Sequence, residues 1–95
     1  MNRTELKACI AEQTALRYTP AGLPALDLIL EHTSELQEAG QMRKVQLKLR
    51  ALAIGCLAER LVKQAVGSVW TFSGFLATPR QGKSVVLHIQ EFHQD

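Results

Sequence analysis

An all-β barrel with one short helix is the fold class this sequence predicts, on three observations. Apolar residues recur at every second position in five separate segments, the period of a strand with one buried face. Only one stretch, between the third and fourth of these, sets apolar residues four apart. Glycines at 22, 40, 55, 67 and 82 fall between the periodic runs, where a chain that reverses direction needs turns.

The first run, TELKACIAEQ, places Leu6, Ala8 and Ile10 at alternate positions and reads as the first strand. LRYTPAGLPA follows as a loop, with Pro20 at the second position of a turn that Gly22 completes. ALDLILEHTSEL is the second strand, with Leu26, Leu28 and Leu30 on one face and Asp27, Ile29 and Glu31 on the other; QEAGQ then turns the chain. MRKVQLKLRALAIG carries enough charge to suit a helix, but Val45, Leu47 and Leu49 alternate with Lys44, Gln46, Lys48 and Arg50. Helical spacing would scatter those cations around the axis, so this is the third strand. CLAERLVKQAV puts Leu57 and Leu61 on one face and Glu59 and Lys63 on another, a short amphipathic helix that Gly67 ends. SVWTFSGFLATP sets Trp70, Phe72 and Leu76 against Val69 and Phe75, and SVVLHIQEF sets Val85, Leu87 and Ile89 against His88 and Gln90; these are strands four and five. Gly74, inside the fourth strand, marks the bend or bulge that closing a barrel requires.

Three strands, a helix and two strands is the element order of the five-stranded OB-fold, with the helix between strands three and four. Ninety-five residues make one such domain, over residues 1–95, and bury about 60 to 65% of the unfolded chain's surface. With 46% apolar and 21% charged residues the composition is globular. No apolar run approaches the roughly 20 residues of a membrane span. The N-terminal MNRTELKACIAEQ has charges where a secretory signal has its apolar core, so a cytoplasmic protein without a membrane partner is expected. Cys9 and Cys56 match no CxxC spacing and read as thiols. His32, His88 and His93 share no metal-ligand spacing, and His88 reads as a hydrogen-bonded surface or dimer-interface residue. Without a nucleophile elbow or a Gly-rich phosphate loop, neither an enzyme nor a cofactor is expected.

The charge is informative in its distribution. Residues 1–40 hold three cations and six acids, whereas residues 41–95 hold eight cations and three acids, so one surface is expected to be locally basic. On an OB-fold, ligands lie across the second and third strands, between the loop after strand one and the loop joining strands four and five. Lys44, Lys48 and Arg50 share one face of the third strand. Arg17 and Tyr18 lie on the first loop, and Arg80 and Lys83 on the last, TPRQGKS. Converging from three elements, these residues point to single-stranded nucleic acid. Trp70 and Phe72 share the apolar face of strand four and read as core, so the groove relies on phosphate contacts. Two missing stacking platforms would lower affinity by about 2 to 6 kcal/mol. The alternative is a protein-interaction subunit of the same fold with little nucleic-acid binding of its own.

The stretches LRYTPAGLPALDLILEHTSELQEAGQMR, GFLATPRQGKSVVLHI and QEF resemble primosomal replication protein N, the PriB family, over nearly the whole chain. LEH followed by EAG, with GF and VLHI further on, is the most specific part. The resemblance implies an OB-fold homodimer related in shape to bacterial single-stranded DNA-binding proteins. It also implies a role in restarting stalled replication forks, with PriA helicase and DnaT as partners. Arg17, Arg43, Lys44, Arg80 and Lys83 match positions in or beside that family's basic DNA-binding surface. Gln41 and Gln46 stand near positions where better-known members carry an aromatic and a tryptophan, and TPRQGK replaces a longer, lysine-richer loop. The expectation is weak DNA binding. A barrel of this size exposes strand edges, which independently predicts pairing into a dimer.

Overall fold

The computed structural model describes residues 1–94. Five long strands carry the chain: β1 (Thr4–Gln13), β3 (Pro24–Glu38), β4 (Gln41–Ile54), β5 (Val69–Ala77) and β6 (Val86–His93). A two-residue β2 (Arg17–Tyr18) precedes β3, and α1 (Cys56–Val62) separates β4 from β5. The strand order is β1-β5-β6-β4-β3, and β3 also pairs with β1, so the five long strands close into the OB barrel. All neighbours are antiparallel except β4 and β6. β1 closes the ring by serving two partners. Its first part, Thr4–Cys9, lies on β5; from Cys9 onward it lies on β3, with a register shift between Ile10 and Glu12.

The core is built from the alternating positions. Ile10, Leu26, Leu30, Leu61, Phe72 and Leu87 are the largest fully buried side chains, each worth about 1.5 to 3 kcal/mol when removed from water. Ala58 and Leu61 of α1 join the same cluster. The helix stops at Val62, five residues before the glycine expected to end it. Gln13 Nε2 donates to the Val62 and Gln64 carbonyls, both at 3.3 Å, and so satisfies acceptors that a continuing helix would use. The chain then turns so that the Gly67 N–H (φ 95°) donates to the Ile10 carbonyl at 2.7 Å. The expected first loop is likewise not wholly loop, because Arg17 and Tyr18 pair with Ala25 and Pro24 around the turn that the Gly22 N–H closes onto the Thr19 carbonyl.

Gly74 sits at a register shift between β5 and β6, after Ser73. A Cβ there would lie 1.8 Å from the His88 carbonyl oxygen, so the close approach of the two backbones requires glycine.

The β3–β4 hairpin departs most from a minimal barrel. It is paired without a break from Ala25↔Ile54 to Glu38↔Gln41, and its two-residue tip, Ala39–Gly40, has positive φ at both positions, the pattern of a type I′ turn. β6 touches β4 only at Arg50–Leu52, and β1 reaches β3 only as far as Glu31. Beyond those points the hairpin is a free two-stranded ribbon, and the molecule measures 50 × 29 × 22 Å. Val45 and Leu47, expected on a buried face, therefore have no layer beneath them, and Leu47 is 41% exposed. Leu49 is the last residue of that row to pack against the core. At the start of β6, Val86 rather than Val85 is buried.

Candidate nucleic-acid interface

Residues directly opposite one another in a sheet share a face, so the register alone maps the barrel's outer surface. One row runs Asp27, Leu52, His88, Phe75 across β3, β4, β6 and β5. The next runs Ile29, Arg50, Val86, Ala77. Further along the ribbon the same face carries Glu31 opposite Lys48, Thr33 opposite Gln46 and Glu35 opposite Lys44. Over the first two rows lies an open groove of about 830 Å³, with Asp27, Ile29, Arg50, Leu52 and His88 on its floor and sides. Gln13, Thr14 and Arg17 of the first connection bound one side and Pro79 of the last loop bounds another.

The cations around this groove are largely matched by acids. Arg17 Nε donates to Asp27 Oδ2 at 2.8 Å and Nη2 donates to Oδ1 at 3.3 Å. That hydrogen bonding, reinforced by the carboxylate's charge, raises the pKa of Arg17. Lys48 Nζ lies 3.7 Å from Glu31 Oε1, and Arg43 Nη1 donates to Glu38 Oε2 at 2.9 Å. Lys44 faces Glu35 in register. Arg50 stands opposite Ile29 and, among the described residues, forms no ion pair.

The seven residues expected from the sequence do not all meet. Arg17 lines the groove. Tyr18, beside it on β2, is 67% exposed and outside the lining. Lys44 and Lys48 share the outer face with Arg50 but lie farther out along the ribbon, while Arg43, one residue from Lys44, belongs to the reverse face with Leu36. Arg80 and Lys83 are exposed on the loop between β5 and β6, whose Pro79 reaches the groove although neither cation lines it. Trp70 and Phe72 are occupied internally. Trp70 meets the Phe92 ring edge-on at 5.0 Å, and Phe72 stacks on Phe92 at 6.4 Å. Sequence reasoning missed a third aromatic contact: the rings of Phe75 and His88 stack at 4.8 Å, 10° from parallel. Its only sequence signal is that both residues take the outward parity of strands four and five, and a single-residue change of register would have separated them.

Among the described residues no three His, Cys, Asp or Glu side chains cluster for a metal, and Cys9 and Cys56 are free thiols. No helix among the described residues is long and apolar enough to cross a membrane.

Residues 2–91 match a family model described as another single-strand binding protein family. Replication restart protein PriB of Bordetella pertussis is 47% identical over 92 residues, which span 96% of this chain and 86% of that protein. PriB of Neisseria gonorrhoeae is 39% identical over 98% of this chain and 93% of that protein. Among solved structures, PriB of Ralstonia solanacearum superposes with a TM-score of 0.89 at 36% identity, covering 98% of this chain and 96% of that one. The single-stranded DNA binding protein of Thermus aquaticus gives 0.78 at 25% identity, over 98% of this chain and 49% of that one.

Proposed function

The chain belongs to the family of replication restart proteins PriB, within the single-strand binding proteins, and from that premise we propose that it is a replication restart factor that binds single-stranded DNA weakly, through phosphates. It is a binding protein, not an enzyme. The groove over the β3–β4 outer face is the observation that carries the reading, because a strand laid along it runs past Arg17 and Arg50 and out onto the ribbon with Lys48 and Lys44. Tyr18, Arg80 and Lys83 flank this path, and Arg43 lies on the reverse of the ribbon. Weakness follows from the ion pairs: a phosphate must compete with Asp27 for Arg17 and with Glu31 for Lys48. If four to six phosphates are neutralised per dimer, log affinity falls against log salt with a slope of about −3 to −4. Titrating a labelled oligonucleotide at several salt concentrations measures this, and a flat response would remove the claim.

The same charge matching favours a second reading, a subunit that acts chiefly by binding proteins. In either reading the partners are PriA helicase and DnaT, and the setting is the cytoplasm. Measuring PriA binding with and without oligonucleotide separates the two: tight PriA binding with no measurable DNA affinity selects the second.

A homodimer is part of the proposal. Below Cys9, among the described residues, β1 has no strand neighbour on its β3 side. The Lys7 carbonyl faces that side, since His32 Nδ1 donates to it at 2.5 Å, whereas the Ile10 N–H and carbonyl face residues 67 and 68. By the same alternation the backbone groups of Glu5 point away from β5, and a second copy's β1 paired antiparallel there would cover this edge.

A further inference from the structure

The outer face of the barrel holds an aromatic surface that the phosphate reading does not use. His88 lies on β6 between Phe75 of β5 and Leu52 of β4. Phe75 stacks on one face of its imidazole, Leu52 is its neighbour on the opposite side in the row, and the groove lining includes His88 but not Phe75. Among the described residues neither ring nitrogen of His88 has a hydrogen-bond partner, so both are open to a ligand. The far side of the row is Asp27, held by Arg17, two strand spacings or about 10 Å away. That width admits one flat ring standing on Leu52. Arg50, two residues along β4 and without an acid opposite it, is about 7 Å from that position, within reach of the phosphate joined to such a ring.

We propose that His88, backed by Phe75, is the stacking seat for one unpaired base of the bound strand, with Leu52 as its floor and Arg50 on the adjoining phosphate. The inference rests on the single-stranded DNA reading and adds base recognition to it. A ring already stacked on a neighbour is immobilised before the base arrives, so little side-chain freedom is lost on binding. Gly74 belongs to the same device, because only a residue without Cβ lets β5 approach the His88 carbonyl and hold the two rings opposite one another.

The test compares a fluorescent 15-nucleotide oligo-thymidine with an abasic strand of equal phosphate number, at low salt and at several salt concentrations, for the wild type, His88→Ala and His88→Phe. One stacked base makes the thymidine strand bind roughly 5- to 150-fold tighter than the abasic one. His88→Ala is expected to bring that ratio close to one, and His88→Phe, which retains a ring, to preserve it. A wild-type ratio near one, with the abasic strand still bound in a salt-dependent way, overturns the stacking seat and leaves the phosphate groove standing. A ratio that survives in His88→Ala, or is lost in a folded His88→Phe, also overturns it. Binding of neither strand by the wild type removes the DNA reading itself.

Discussion

Asp27 governs how much of Arg17 a bound strand can use. The two side chains are 43% and 52% exposed, and such surface pairs contribute about 0 to 1 kcal/mol to folding. Asp27→Asn should leave the unfolding midpoint nearly unchanged, tighten oligonucleotide binding and steepen the salt slope by about 0.7, the increment for one more phosphate on a single strand. An unchanged slope in a fluorescence titration would mean that Arg17 lies off the path. The raised pKa of Arg17 has a definite sign: its stabilisation is complete below the ordinary arginine value and is lost only as pH rises through the higher folded value. Arg17 itself therefore adds no pH dependence to stability near neutrality. At Gly74 the consequence is structural. A methyl group 1.8 Å from a backbone carbonyl cannot be absorbed by a rotamer change, so Gly74→Ala should cost at least about 3 kcal/mol. Urea unfolding followed by Trp70 emission reads that loss, and a normal midpoint would show that β5 and β6 can move apart freely.

The β3–β4 ribbon depends on its register and its tip, because no second layer lies under it beyond Glu31 and Lys48. Facing acid–base pairs, Glu31 with Lys48 and Glu35 with Lys44, are what a two-stranded ribbon in water can use to fix register. The tip is less well suited: Ala39 holds φ 53°, where a Cβ costs about 1 to 2 kcal/mol. Asn before Gly is the preferred type I′ pair, so Ala39→Asn should stabilise the protein by about 0.5 to 1 kcal/mol, provided the ribbon unfolds with the barrel. A calorimetric Tm that does not rise would show that the ribbon frays independently. The loop between β5 and β6 acts through charge alone in this reading. Arg80→Ala combined with Lys83→Ala should weaken binding equally for different base sequences and reduce the salt slope by about 1.4.

At the scale of the whole molecule, the barrel is closed but its first strand is only half covered. β1 meets β5 below Cys9 and β3 above it, so among the described residues Thr4–Leu6 has no strand on its other edge, where a second copy would pair. Proline at position 5 removes an N–H that points to this edge and breaks no β1–β5 ladder bond, so Glu5→Pro should convert a dimer into a folded monomer in sedimentation velocity. A wild-type protein that sediments as a monomer at micromolar concentration would end the dimer proposal. Asp95, counted with the acids of the C-terminal half, lies outside the described residues.

Local pattern and tertiary arrangement divide the protein cleanly. Period-two alternation at Leu6, Ala8 and Ile10, at Leu26, Leu28 and Leu30, and at Leu87 and Ile89 determined the strands, their buried faces and the OB element order, because side-chain direction along a strand is a local property. The glycine within strand four announced a bulge for the same reason. The sequence could not determine which strands would be neighbours, because pairing is non-local and a slip of one residue exchanges the faces. Only the register joined Asp27 to Arg17 and Glu31 to Lys48, put Arg43 on the reverse of the ribbon from Lys44, and left Leu47 uncovered. Only the register also brought Phe75 and His88, thirteen residues apart, into one stacked pair beside Arg50. Sequence spacing records side chains one strand at a time, whereas a binding face is made of side chains from several strands, and their order is decided by closure of the barrel.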